Sequence, residues 1–186
     1  QLIGRRVREI GVYCEILPGE SALDAAALES CVGIILSGSP YSAYDEGAPA
    51  PHPSVFSCGL PVLGVCYGIQ RMTLDQGGAV ERLPEREYGR KPVALLDSGA
   101  ASPLFAGVGR EFSSWMSHGD SIAAPAPGWK VIAESEGGIP AALVHETAAP
   151  GVSVVPSSSW LVGVERALAG EPGAELVLRG ALEKLP

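Results

Sequence analysis

The stretch Pro61-Val-Leu-Gly-Val-Cys-Tyr-Gly-Ile-Gln70 decides the reading of this chain. Its first half, Pro61 to Val65, is a short continuous apolar run of the kind that forms a strand buried on both faces of a parallel sheet. Its second half opens a helix running to Gln76, which Gly77-Gly78 stops. Between them, Gly64-Val65-Cys66-Tyr67-Gly68 has the form glycine, any residue, nucleophile, any residue, glycine. A strand-to-helix turn this tight strains its middle residue and lifts that side chain above the sheet edge, and the flanking glycines make the room. The helix N-terminus favours the thiolate of Cys66, and amides at the turn can hold an oxyanion. A free cysteine is more commonly a small buried apolar residue. The paired glycines and the strand–helix setting assign Cys66 as a nucleophile instead.

Outward from this elbow the chain alternates. Leu2, Ile3, Val7 and Ile10 share one helical face, and Gly11 is a stop. Val12 to Ile16 alternates like a strand, and Ser21-Ala-Leu-Asp24 opens a short helix through Glu29. Val32 to Leu36 is a second buried strand, followed by a loop to about Pro53 rich in Gly, Pro, Ser and Tyr. This order predicts an α/β fold, a mostly parallel sheet flanked by helices with a small antiparallel extension. The extension comes from short strands at Val93–Leu96, Glu111–Trp115, Trp129–Ala133 and Ala141–Val144, and a last helix is expected over Ala174–Leu185.

Composition narrows the function. With 186 residues there is room for one domain. Lys plus Arg is 13 and Asp plus Glu is 21, a net charge of −8. That balance argues against nucleic acid and against an anionic membrane surface as partners. No apolar run approaches the length of a membrane span. The four cysteines include no Cys-x-x-Cys pair and there are three histidines, which disfavours zinc; the thiols are expected to be reduced, in a cytoplasmic setting. Ser37-Gly38-Ser39-Pro40 sits at the carboxyl end of a parallel strand, where ligands bind in open α/β sheets, and can supply a second oxyanion amide. Trp115-Met-Ser-His-Gly-Asp120 reads as a polar cluster after a short strand, suited either to substrate contact or to an ordinary loop.

Four ordered motifs carry a family resemblance: Leu36-Ser-Gly-Ser-Pro-Tyr-Ser-Ala-Tyr-Asp-Glu-Gly-Ala-Pro49, Gly64-Val-Cys-Tyr-Gly-Ile-Gln70, Glu85-Arg-Glu-Tyr-Gly89 and Trp115-Met-Ser-His-Gly-Asp120. The chain resembles the class I glutamine amidotransferase family, flavodoxin-like in fold, and is most similar to the N-terminal glutaminase domain of GMP synthetases. The resemblance runs from Gln1 to about Glu146 and returns at Gly173–Leu185. It implies that Cys66 attacks the side-chain amide of L-glutamine, with oxyanion amides at Tyr67 and at Gly38 or Ser39. It further implies that Gln70, Ser117 and His118 contact the substrate, and that the ammonia aminates XMP to GMP in purine biosynthesis. The glutaminase step needs no cofactor. ATP and Mg belong to a synthetase (ATP pyrophosphatase) domain, absent from this sequence and supplied in cis or in trans.

Three departures accompany the resemblance. Ser39 replaces the family's second glycine. The strand that precedes the first helix in the family is absent, so the single domain over residues 1–186 reads as truncated at its N-terminus. The family's Gly-Val-Gln-Phe-His-Pro-Glu segment, whose His activates the cysteine and whose Glu orients that His, is matched by Gly151-Val-Ser-Val-Val-Pro-Ser157. Val155 therefore stands at the His position and Ser157 at the Glu position. His145-Glu146 falls about ten residues early and suits the end of a strand; His118 is a second substitute. Residues 147–172 depart from the family pattern, as a compensated frame or splice change would produce. The expectation is a weak or inactive glutaminase. The alternatives are a silent amidotransferase-like binding or regulatory domain, or a cysteine hydrolase of another class on the same elbow.

Overall fold

The computed structural model describes residues 2–29 and 31–145. The expected helix over Ala174–Leu185, the segment 147–172 and the positions of Val155 and Ser157 lie outside the described residues.

The chain opens with α1 (Leu2–Glu9), ended where Gly11 takes φ 84°, a left-handed turn open to glycine at no steric cost. The short α2 (Ala25–Glu29) follows. It begins later than the Ser21 start expected, because Asp24 is the capping residue: its Oδ1 accepts from the amide of Ala26 at 3.0 Å. The strands β1 (Ile34–Leu36) and β2 (Val62–Gly64) pair in parallel, Ile34 opposite Val62 and Leu36 opposite Gly64. Helix α3 (Tyr67–Asp75) leaves β2 through the elbow, and Gly77 ends it at φ 87°.

The antiparallel part is larger than expected from sequence. It holds β3 (Ala79–Leu95), β4 (Glu111–Ala124), β5 (Trp129–Ser135) and β6 (Ile139–His145) in the spatial order β4-β3-β5-β6. The short helix α4 (Asp97–Ala100) sits between β3 and β4. Among the described residues four strands are antiparallel and two parallel, so the α/β fold is mixed. Hairpin pairing of β3 with β4 explains the lengths: each strand supplies the other's hydrogen-bond partners, and both run past the local apolar runs. Trp115 to Asp120 thus lies inside β4 rather than in a loop after it. The register slips between Arg82, opposite Asp120, and Glu87, opposite His118. Five residues along β3 are matched by two along β4, so residues 83–86 are displaced from the ladder as a bulge.

Val12 to Ile16 forms no strand. Alternation makes a strand only where a neighbouring edge completes the ladder, and among the described residues this segment pairs with none. Tyr13 is 81% exposed there.

Two apolar clusters hold the fold. One joins Val62, Ile69 and Met72 to Val80, Ile122, Trp129 and Leu143, so α3 is clamped between the parallel strands and the antiparallel sheet. The other, under α4, gathers Val93, Leu95, Met116, Ile132 and Ala142. Both matter for the site, since they hold α3 and β4, the two elements that bond to the 37–53 loop.

Candidate active site

The elbow is built as the sequence predicts. Val65 N–H donates to Leu36 O at 2.8 Å, carrying the parallel pairing to the last residue before the nucleophile. Cys66 then takes φ 54°, ψ −115°, and it is the only described non-glycine residue with positive φ. Backbone strain of this kind costs about 1–3 kcal/mol and persists only where the surroundings enforce it. Here they do. A Cβ at Gly64 would stand 2.7 Å from Ile69 N and 2.9 Å from Met72 Sδ, and a Cβ at Gly68 would collide with Leu36 O. Both glycines are therefore required by close approach of α3 to the strand ends.

Two stretches of backbone border the thiol. The amides of Gly68, Ile69 and Gln70 turn back to Val65 O and Cys66 O. Tyr67, at the first position of α3, contributes an N–H of the kind a helix leaves without an intrahelical carbonyl. On the other side, a Cβ placed on Gly38 would lie 3.5 Å from Cys66 Cβ and 3.9 Å from Sγ, so Gly38 neighbours Cys66 with room for a methyl group between them. Ser39 keeps a negative φ, and its replacement of glycine leaves the backbone unstrained.

The loop after β1 is fastened by four side-chain bonds, two to Asp120 of β4 and two from residues of α3. Ser42 Oγ donates to Asp120 Oδ2 at 2.5 Å and Tyr44 OH to Asp120 Oδ1 at 2.7 Å. Arg71 Nη1 donates to Ala43 O at 3.1 Å, and Tyr67 OH donates to Pro49 O. Burial pushes the Tyr67 phenol above its ordinary value, so it remains a donor at neutral pH. Gln70, one helical turn beyond Cys66 and itself buried, donates from Nε2 to Asp120 O at 2.9 Å.

Ser117 and His118 diverge. On a strand, neighbours face opposite ways, and Ser117 is exposed while His118 is turned inward. His118 Nε2 lies 3.5 Å from Glu87 Oε2, and Glu87 Oε1 accepts from Ser135 Oγ at 3.0 Å. Burial lowers the His118 pKa, with the Glu87 charge opposing it. His118 is thus occupied within the β3–β4 hairpin as a buried partner of Glu87. His145 closes β6 opposite Trp129, the two rings 5.6 Å apart, which fits the strand-end role. Ser42, Tyr44, Arg71, Glu87 and Asp120 are the site residues without an assigned role in the sequence reading. Their motifs are visible there, but their pairings join positions up to 78 apart.

A strained cysteine between two obligatory glycines, with Gly38 as a neighbour, is an arrangement able to present a thiol to a substrate. The sequence model of the glutamine amidotransferase class-I family matches residues 1–154. The chain belongs to this family.

Among curated proteins, it is 46% identical over 136 residues to a GMP synthase (glutamine-hydrolyzing) of Thermus thermophilus, covering 73% of this chain and 26% of that one. It is 47% identical over 149 residues to a protein of the same name from Bartonella quintana, covering 78% and 28%. The matched part of this amidotransferase thus spans about a quarter of the length of these relatives. Solved structures share the fold. A glutamine amidotransferase of Thermotoga maritima superposes with a TM-score of 0.71 at 18% identity, over 98% of this chain and 90% of that one. One from Methylobacillus flagellatus superposes with a TM-score of 0.67 at 19% identity, over 99% and 89%.

Proposed function

We propose that this domain is the glutamine-hydrolysing part of a GMP synthase. The strained Cys66 elbow, with Gly38 beside it, carries the reading, and the name of the relatives supplies the substrate class. Cys66 Sγ attacks the side-chain carbonyl carbon of L-glutamine. The carbonyl oxygen takes the negative charge and is held by the amides of Tyr67 and of Gly38 or Ser39. Collapse of the tetrahedral adduct breaks the C–N bond and expels ammonia after proton transfer to nitrogen. Water then hydrolyses the glutamyl thioester to glutamate and returns the thiol. No metal or organic cofactor takes part in this step. The ammonia passes in a cytoplasmic setting to a synthetase domain, in cis or in trans, where ATP and Mg support amination of XMP to GMP.

Gln70 and Ser117 remain substrate-binding residues in this reading. The weak point of the machinery is the base. With Val155 and Ser157 at the family's His and Glu positions, a thiol of ordinary pKa near 8.5 is only a few per cent ionised at neutral pH. Loss of triad members costs about three to six orders of magnitude in kcat. That substitution favours a second reading, a domain that binds glutamine without hydrolysing it.

Release of glutamate and ammonia from L-glutamine decides between them. The proposal expects slow hydrolysis that Cys66→Ala abolishes and that the pair Val155→His, Ser157→Glu raises by about a hundredfold or more. Saturable glutamine binding with no turnover in either form assigns the silent domain. Absence of both binding and turnover overturns the glutamine assignment.

A further inference from the structure

We infer that Asp120 is a positioning residue for the oxyanion side of the site: its carboxylate clasps the loop that carries Gly38 and Ser39, while its main chain grips the nucleophile's helix. The inference rests on the glutaminase reading above and adds to it a residue that touches no reacting atom.

Three contacts define the clasp. Both carboxylate oxygens of Asp120 accept hydroxyl hydrogens from the loop, Ser42 at 2.5 Å and Tyr44 at 2.7 Å. Hydroxyl donors to a carboxylate make charge-assisted bonds, roughly twice as strong as neutral ones. The carbonyl oxygen of the same residue accepts from Gln70 Nε2 at 2.9 Å. Gln70 follows Cys66 by four positions, on the same face of α3 and one turn above the thiol. Asp120 is 8% exposed, so water competes little for its oxygens. It stands on β4, where it faces Arg82 of β3 and is anchored by the core residue Ile122 two positions on.

The chemistry asks for such an anchor. An oxyanion donor acts only if it is already in place when charge develops, and a displacement of about 1 Å can cost a hundredfold in rate. Gly38 lies at the free start of a loop running from Ser37 to about Pro53, a length that does not hold itself to that tolerance. The loop's own bonds, Ser42 N–H to Asp45 Oδ2 at 3.0 Å and Asp45 N–H to Ser42 O at 3.1 Å, shape its turn but do not tie it to α3. From α3, Arg71 reaches the loop at Ala43 O and Tyr67 reaches it at Pro49 O; the tie through Asp120 is the nearest to Gly38 in sequence, beginning four residues from it. It links the two halves of the oxyanion hole, the loop amide and the Tyr67 amide, through the carboxylate and the main-chain carbonyl of one buried residue.

The test compares the unaltered chain with Asp120→Ala, with Ser42→Ala/Tyr44→Phe, and with all three changes together. The loop-side pair leaves β4 and its packing untouched, so it keeps the test valid if Asp120→Ala fails to fold. Two measurements are made on each. Amide hydrogen exchange over residues 38–48 should accelerate by about tenfold or more in both variants, as expected for losing hydrogen bonds to a charged group. Exchange in β1, β2 and α3 should stay near its original rate, and the triple variant should add little. The second measurement is inactivation of Cys66 by 6-diazo-5-oxo-L-norleucine, a glutamine-shaped electrophile that forms a thioether with loss of N₂. Its maximal rate should fall by about tenfold while alkylation by iodoacetamide, which needs no oxyanion hole, holds.

Unchanged exchange at 38–48 overturns the clasp, as does acceleration spread evenly over the domain. Accelerated exchange with undiminished inactivation overturns the positioning role. If the unaltered Cys66 shows no saturable reaction with the diazoketone, the glutamine reading falls and with it the role in chemistry, while exchange still decides whether the clasp exists.

Discussion

Gly68 of α3 and Leu36 of β1 approach so closely that a Cβ on the glycine would fall on the carbonyl oxygen of Leu36. This contact sets how near α3 lies to the strand end that launches the 37–53 loop. Gly68→Ala should force α3 outward and cost about 3 kcal/mol, the upper range for overpacking, because the obstacle is backbone and cannot rotate aside. A urea midpoint equal to that of the unaltered chain would mean that helix and strand do not meet as described.

The strain at Cys66 is separable from its chemistry. With φ at 54° and ψ at −115°, position 66 suits glycine better than any residue with a Cβ. Cys66→Gly and Cys66→Ala both remove the thiol, yet the glycine variant should be the more stable by about 1 kcal/mol. Chemical denaturation of the two variants reads the difference directly. Equal stabilities would remove backbone strain from the account of the elbow.

His118 should make the fold sensitive to acid. Burial holds its pKa below the unfolded value of about 6.5, against the opposing pull of Glu87. Above that value the group is neutral in both states and its contribution is fully present. As pH falls through it, the unfolded chain takes up the proton first, so stability drops until the folded pKa is passed. His118→Gln should flatten the stability profile between about pH 7 and pH 5. An imidazole titration by NMR with a midpoint at or above the ordinary histidine value would contradict this.

The end of α3 is tied to β5 by one bond, Trp129 Nε1 donating to Gln76 Oε1 at 2.9 Å. Trp129 is buried, so Gln76→Leu should leave its N–H unsatisfied and cost about 1–2 kcal/mol, with a change in tryptophan emission. An unaltered emission spectrum and midpoint would show that the indole finds another acceptor.

Much of the elbow was legible because its causes are local. Two glycines four apart, an apolar run before them and a helical period after them sit within ten consecutive residues, and the structure places β2, Cys66 and α3 on them. Gly11 and Gly77 read as helix stops for the same reason, and both adopt positive φ. Val12 to Ile16 misled because alternation states a preference and not a partner. The polar residues of the 115–120 motif misled differently: they read as a loop, but pairing with β3 draws them into a long strand.

What the sequence by itself determined was the family, the strand-to-helix elbow around Cys66 and the α/β order, each written in spacings of a few residues where backbone geometry and side-chain period are set. What only the tertiary structure decided was who meets whom. Asp120 finds Ser42 and Tyr44 across 78 and 76 positions, and His118 finds Glu87 through the register of a bulged hairpin. No local rule encodes those meetings, because they depend on how two sheets and one helix pack around a shared core. A shift of one residue in the β3–β4 register would turn both Asp120 and His118 to the opposite face.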